Sequence, residues 1–293
     1  MDVIRTDRHP SRHRRVMSRV GLGRFLGRVG FYFSVVVIVS PAVFVFLWML
    51  SLALKTEGEN LAYPPVFVPK SPTLENFVAV FQTTPFGRYT VNSIIVSGTS
   101  TLIALLVGVP AAYGIAKTRE SRLALLVLIS RMTPGLSYLI PLYMLFSFMR
   151  LTGTLWSLII THLVITVPIV VWIMIGFFES LHPELEEAAL IDGCDIWQAF
   201  LKVAMPLSRP GVAVAGILAF IFSWNNFIFG VVLAGRETRT LPVAVYNMLT
   251  FEQISWGPLA AAALTVTLPV LLLTLFVQRH IVTGLASGGV KGG

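Results

Sequence analysis

Charge is what this sequence has least of. Only 12% of its 293 residues are Asp, Glu, Lys or Arg, while 55% are hydrophobic. Soluble domains run nearer to a quarter charged. A water-soluble enzyme of this size does not fit, because too little charge is present to coat it. Disorder and a coiled coil are excluded on the same grounds. Cysteine is almost missing: Cys194 stands alone, which rules out a disulfide framework and any CxxC metal site. Acid is scarce as well, with 14 Asp and Glu against 22 Lys and Arg, a formal charge of +8. In a membrane protein that excess points to inner loops facing anionic lipid before it points to nucleic acid. What is left is an all-α integral membrane domain.

A membrane helix needs roughly 20 apolar residues. Five stretches free of Asp, Glu, Lys and Arg meet that length: Val29 to Leu54, Tyr89 to Ala116, Leu151 to Phe178, Pro210 to Gly235 and Gln253 to Gln278. A sixth, Leu123 to Met149, is interrupted only by Arg131. Six transmembrane helices are therefore expected. The first is too long for a signal-peptide core and reads as a retained anchor over 29–54. An arm over 1–28 precedes it and carries Arg5, Arg8, Arg12, Arg14, Arg15, Arg19, Arg24 and Arg28. The positive-inside rule places this arm in the cytoplasm, and an even number of spans brings the tail, 281–293, to the same side. Without the arm the remaining basic residues divide almost evenly between the two sides, so orientation rests on the arm. Its Arg residues alternate with Val16, Val20, Phe25 and Leu26. That is the pattern of a lipid-headgroup anchor. A nucleic-acid tail would bring aromatic stacking residues, which the arm lacks.

No Asp or Glu falls inside any expected span. Proton- and sodium-driven transporters generally place ionisable groups at depth. Here only Arg131 and His162 are available. His162 reads as a hydrogen-bonded packing residue between helices. Arg131 reads as a snorkelling cation or the partner of a helix end, because Met132-Thr133-Pro134-Gly135 breaks its helix, with a gate residue as the alternative. The chain also lacks a GxxxxGK[ST] phosphate loop, a Ser/His/Asp set and an HExxH helix. Uphill transport would thus need an energy source from a partner. Pro110, Pro134, Pro141, Pro168 and Pro269 interrupt the spans. Such breaks are tolerated where protein or a water-filled path receives the freed carbonyls.

The segment 55–88 is the long outer loop. Tyr63-Pro64-Pro65 and Pro69-Lys70-Ser71-Pro72 mark it as extended and turn-rich. The segment 179–209 is the long inner loop, and it holds Glu179, Glu184, Glu186, Glu187, Asp192 and Asp195. Pro183 suits a first helical position, with glutamates after it at the positive end of the helix dipole. Gly193 should close that helix as a left-handed cap residue. Asp195 should then cap a second helix, with Gln198 at capping-box spacing. In the second helix Ile196, Phe200 and Val203 share a face, with Trp197 and Leu201 beside them, and Met205-Pro206 should stop it. A short helix–turn–helix on the inner surface can dock in a partner's groove.

Glu187-Ala188-Ala189, Gly193 four residues on, and Val203-Ala204-Met205-Pro206 after nine intervening residues resemble the EAA loop of ABC-importer permeases. Val203 and Met205 stand where that family has Ile and Leu. The run Glu186 to Gly193 resembles its carbohydrate-uptake branch, the relatives of the maltose transporter's smaller permease. Trp224-Asn225-Asn226-Phe227 resembles that branch's Trp-Asn-acidic-Phe motif. The run Gly284 to Gly292 resembles its Gly-Leu-Thr-x-Gly-Ala-Val-Lys-Gly ending. Together the resemblance covers Phe31 to Gly292 and leaves out the arm.

The resemblance implies a type I ABC-importer permease fold with a permease core over 89–280. It implies a second, different permease, two ATP-binding subunits that use ATP and Mg, and an extracytoplasmic sugar-binding protein, in a bacterial cytoplasmic membrane. The segment 55–88 would face that binding protein. Glu187, Ala188, Ala189, Asp192 and Gly193 would form the coupling element, with Asp192 orienting the turn by local hydrogen bonds. None is catalytic, and the chain itself would bind no cofactor and no metal. Trp224, Asn225 and Asn226 lie near the middle of the expected fifth span. They suit sugar hydroxyls and ring faces, and equally well suit hydrogen bonds between helices. Asn226 stands where relatives often carry an acid, which removes a charge from the membrane. Cys194 reads as a reduced residue without chemistry. Two other functions fit the composition: an ABC permease for a non-sugar solute such as a sugar phosphate, and a membrane scaffold that transports nothing.

Overall fold

The computed structural model describes the main chain of residues 13–249 and 254–288, and the side chains of residues 27–249 and 254–276. Most of the Arg-rich arm's side chains and the end of the tail, with the resemblance seen there, lie outside the described residues. Among the described residues there are helices and no strand.

Helix α1 (His13–Leu54) is one 42-residue helix that runs through the boundary expected at residue 28. From Val29 to Phe46 nearly every side chain is exposed, as a lipid-facing helix requires. The expected turn-rich loop after it contains two helices, α2 (Glu57–Asn60) and α3 (Glu75–Thr83). Thr56 makes α2 possible, since its Oγ1 accepts the Glu59 N–H at 3.4 Å. Helix α4 (Phe86–Thr118) comes next and crosses the molecule in 33 residues.

Helix α5 (Ser121–Met132) then leads into a 3₁₀ turn (Gly135–Tyr138) and α6 (Leu139–Phe148). The expected third span is therefore bent, by 90°. Pro134 is the cause: it holds Thr133 extended, with ψ at 122°, and supplies no N–H to continue the helix. Helix α7 (Leu155–Glu179) is the most enclosed of the long helices. Beyond it come α8 (Pro183–Ile191), α9 (Ile196–Ala199), a π-helical turn (Phe200–Ala204) and α10 (Met205–Leu207). The chain bends by 77° into α11 (Arg209–Trp224). Met205-Pro206 therefore does not stop the second loop helix; the bend comes at Ser208. Helices α12 (Ile228–Leu233), α13 (Leu241–Asn247) and α14 (Trp256–Gly288) complete the chain.

Among the described residues four helices are long and apolar enough to span a membrane, and counting each of the two bent pairs as one span brings the number to six. The expected fifth span, Pro210 to Gly235, is not one helix. Helix α11 has 16 residues, on the order of 24 Å, and ends at Asn225.

Helices α4, α7 and α11 form the centre. Ala104, Val109 and Ala112 of α4 pack with Val170, Val171 and Met174 of α7 and Ala215 and Ala219 of α11. Small side chains let apolar helices approach closely, where dispersion rather than water expulsion holds them. Gly211 is the sharpest case, since a Cβ there would lie 2.5 Å from the Phe177 ring. Helices α4 and α7 enter from the same end, so both bring their C-termini to the segment α8–α10.

Candidate functional site

The segment α8–α10 is built largely as its caps dictate. Pro183 occupies the first turn of α8, with Glu184 and Glu186 beside it. At the other end Gly193 has φ of +89°. Its N–H donates to the Leu190 carbonyl at 3.1 Å and the Cys194 N–H to that of Ala189 at 3.0 Å. These two bonds are a Schellman cap. Asp195 caps α9, its Oδ1 accepting the Gln198 N–H at 2.7 Å. The part expected of Asp192 is different here. Its main-chain N–H donates to the Ala188 carbonyl at 2.9 Å, and the turn is closed by main-chain bonds rather than by its carboxylate.

The two adjacent glutamates part company. Glu187 and Ala188 face outward, as do Asp192 and Gly193, while Ala189 is buried. Glu186 turns inward with a side chain only 9% exposed. Its Oε2 accepts from Lys117 Nζ at 2.6 Å and from the Tyr113 hydroxyl at 3.0 Å. Both donors sit on α4. The Tyr113 ring packs edge-on against Phe178 at 5.4 Å and tilted against Phe200 at 4.9 Å. A cavity of about 680 Å³ opens beside this group, lined by Lys117, Arg119, Glu120, Glu186 and Glu187. Sequence reasoning had no way to choose Glu186 over Glu187 or to find Lys117.

The apolar stripe expected on the second loop helix is split. Phe200 is buried, whereas Ile196, Trp197 and Leu201 are exposed. With Ile191, the most exposed of the group at 85%, the exposed side chains give the protrusion an apolar outer face.

Trp224, Asn225 and Asn226 do come together, but at a break and not in mid-helix. Trp224 is buried, stacks on Phe220 at 5.5 Å, and its Nε1 donates to the Val266 carbonyl of α14 at 3.0 Å. A buried indole N–H takes such a partner, so Trp224 ties two helices and is not open to a path. Asn225 is exposed and caps α11, its Nδ2 donating to the Ile221 carbonyl at 3.0 Å. Asn226 Oδ1 accepts the Phe229 N–H of α12 at 3.3 Å. Each amide keeps its second polar atom. Next to them Phe227 and Tyr246 form a T-shaped pair with centroids 5.0 Å apart.

His162 packs between helices as expected. Its Nδ1 lies 2.7 Å from Ser223 Oγ, which lies 3.0 Å from Ser100 Oγ, so one chain of polar atoms joins α7, α11 and α4. Arg131 is exposed at the break after α5. It borders a cavity of about 210 Å³ with Tyr138, Pro168 and Phe222. The far end of the bundle carries ties that the sequence did not suggest. Asn92 Nδ2 donates to the carbonyls of Glu237 and Arg239 at 2.8 and 2.9 Å. Ser93 Oγ accepts the Leu241 N–H at 2.8 Å, and Thr238 Oγ1 donates to the Gly153 carbonyl at 2.9 Å.

Comparison with known proteins places this geometry. Residues 104–286 match the model of the binding-protein-dependent transport system inner membrane component family. The sulfoquinovosyl glycerol transport system permease protein SmoH of Agrobacterium fabrum is 33% identical over 94% of this chain and 99% of its own. The trehalose transport system permease protein SugB of Mycobacterium tuberculosis is 34% identical over 87% of this chain and 94% of its own. Among solved structures, a bacterial ABC transporter involved in the import of the acidic polysaccharide alginate shares the fold, with a TM-score of 0.73 at 19% identity over 93% of this chain and 99% of that one. The match runs through α7, the α8–α10 protrusion and the break at Asn225: the chain is a multi-pass membrane protein of the binding-protein-dependent transport system inner membrane component family.

Proposed function

We propose that this chain is one permease subunit of an ATP-driven importer for a carbohydrate. It pairs with a second, different permease. Two ATP-binding subunits, which hold the ATP and Mg, drive it, and an extracytoplasmic binding protein loads it. The observation that carries this reading is the α8–α10 protrusion. Glu187, Ala188 and Gly193 face outward on a capped turn, flanked by exposed Ile191, Ile196 and Trp197. A small, rigid, apolar-faced projection is what an ATPase groove can grip and move. None of its residues needs to do chemistry. On this reading the protrusion and both termini lie in the cytoplasm, and α2 and α3 lie outside, facing the binding protein.

The relatives named above carry sugars in their names, which supports a carbohydrate cargo. The break at Asn225 to Phe227 suits one physically. Asn225 is exposed with its Oδ1 still free to accept a hydroxyl, and the Phe227–Tyr246 pair offers an apolar face to ring C–H groups. A second reading, an anionic solute such as a sugar phosphate, is favoured by one observation. Arg131 is an exposed cation in the bend of a span, bordering a cavity against the middle of α7, and intramembrane cations mark solute paths.

The test is uptake by the complex reconstituted with its binding protein and ATPase, using a panel of labelled sugars, polyols and sugar phosphates. Wild type should take up a neutral carbohydrate only when ATP is supplied. Gly193→Asp should abolish uptake while the binding protein keeps its affinity. Nothing lies within 4 Å of a Cβ at Gly193, so the strain is in the main chain and costs about 1–3 kcal/mol at that φ. Uptake of phosphates alone would establish the second reading, and full uptake by Gly193→Asp would remove the coupling role.

A further inference from the structure

The protrusion is covalently joined to α7 through residues 180–182, and to α11 through α9, the π-helical turn and α10. Those joints suggest that movement of α8 reaches the bundle through its chain neighbours. The side chains indicate another route. Among the described residues, both side-chain hydrogen bonds made by α8 end on α4, at residues 73 and 69 positions away in sequence. Both use one oxygen, Glu186 Oε2.

We propose that Glu186, Lys117 and Tyr113 form a clamp through which displacement of α8 is delivered to α4. This rests on the importer reading and names the entry point of the stroke. The three are positioning residues. The carboxylate is 9% exposed and the lysine side chain 37%, so the pair sits at the edge of the protein where screening by water is incomplete. Its geometry is a charge-assisted hydrogen bond, short and directional. The Tyr113 ring adds stiffness. It touches Phe178 at the end of α7 and Phe200 in the π-helical turn, and Phe200 in turn touches Trp197 at 5.1 Å on the outer face. Tyr113 is thus the point where α4, α7, α8 and the π-helical turn meet. A push on the Trp197 face or on α8 therefore reaches α4 through side-chain contacts as well as through the chain itself. Because α4 packs along α7 and α11 through small residues, movement of its end is shared by the whole centre.

The test is made in the full complex in proteoliposomes, reading ATP hydrolysis and solute uptake from the same vesicles. Lys117→Met and Glu186→Gln should still assemble with the ATPase and still hydrolyse ATP in response to loaded binding protein. Uptake per ATP should fall roughly tenfold. The charge-swapped pair Lys117→Glu with Glu186→Lys should recover most of that loss, and so should Lys117→Arg alone. Tyr113→Phe keeps the ring in its stack and removes only the hydroxyl. It should lower uptake per ATP by roughly twofold to threefold, and it decides the matter if the charge variants fail to assemble. Unchanged uptake per ATP in the variants that assemble overturns the clamp. So does a loss of uptake that merely tracks hydrolysis and the amount of complex, since that is a purely structural role. Wild type that takes up nothing with ATP overturns the importer reading itself and the clamp with it.

Discussion

The two ends of the α4/α7/α11 bundle are tied by different chemistry. At the α8 end an ionised pair, Lys117 and Glu186, crosses between helices, and half of that pair is open to water. At the α13 end the ties made by buried side chains are neutral. Asn92 is buried and donates to two main-chain carbonyls, and buried Ser93 accepts a main-chain N–H. Main-chain groups held by buried side chains are costly to leave unpaired. A half-exposed lysine can swing to solvent at little cost. The contrast teaches a division of labour: one end is built to hold its shape, the other to hold on while it moves.

The largest effect expected from breaking this comparison is at the rigid end. Asn92→Ala removes the donor for both the Glu237 and Arg239 carbonyls. Stability should fall by about 2–3 kcal/mol, read as a lower midpoint of unfolding in detergent. The equivalent cut at the other end should matter less. Glu186→Gln keeps an acceptor for Tyr113 and frees Lys117 to reach water. Its loss should be about 1 kcal/mol or below, although its effect on uptake per ATP is expected to be larger than that of Asn92→Ala. If Glu186→Gln lowers the midpoint more than Asn92→Ala does, the division of labour is wrong.

Legibility in the sequence tracked the range of the interactions. The long spans were readable because an apolar run of about 20 residues is its own signal, while two of the six expected runs fold as bent pairs. The caps of α8 and α9 were readable because Pro183, Gly193 and Asp195 act within a few residues of themselves. Pro134 announced the break in the third span for the same reason. Three things were hidden. The choice between Glu186 and Glu187 depends on Lys117, far away in the chain. Asn92 looked like one polar residue in an apolar span, and its partners stand 145 and 147 residues on. The stripe through Ile196 and Phe200 was misjudged because Phe200 is drawn in by the Tyr113 and Phe178 rings, which are remote in sequence, while Ile196 stays exposed. Trp224 and the two asparagines were expected in mid-span, but the amides there are used first to end and start helices at a break. An apolar pattern read as one span could not show that.

The smallest effect is also the sharpest test, because Glu237 takes part in two ties at once. Its main-chain carbonyl accepts from Asn92. Its carboxylate pairs with Arg88, and there both side chains are more than half exposed. Exposed pairs of this kind contribute about 0.2–1 kcal/mol and are weakened by salt. Arg88→Ala and Glu237→Ala should therefore each lower stability by about 0.5 kcal/mol or less. The double variant should lose no more than the larger single one, since both remove the same contact. Raising the salt concentration should erase even that difference, while the deficit of Asn92→Ala should persist, because a bond from a neutral amide to a main-chain carbonyl carries no net charge to screen. If Glu237→Ala instead matches Asn92→Ala, the carboxylate and not the main chain is what fixes this end. The two ends of the bundle would then be held by the same kind of tie after all.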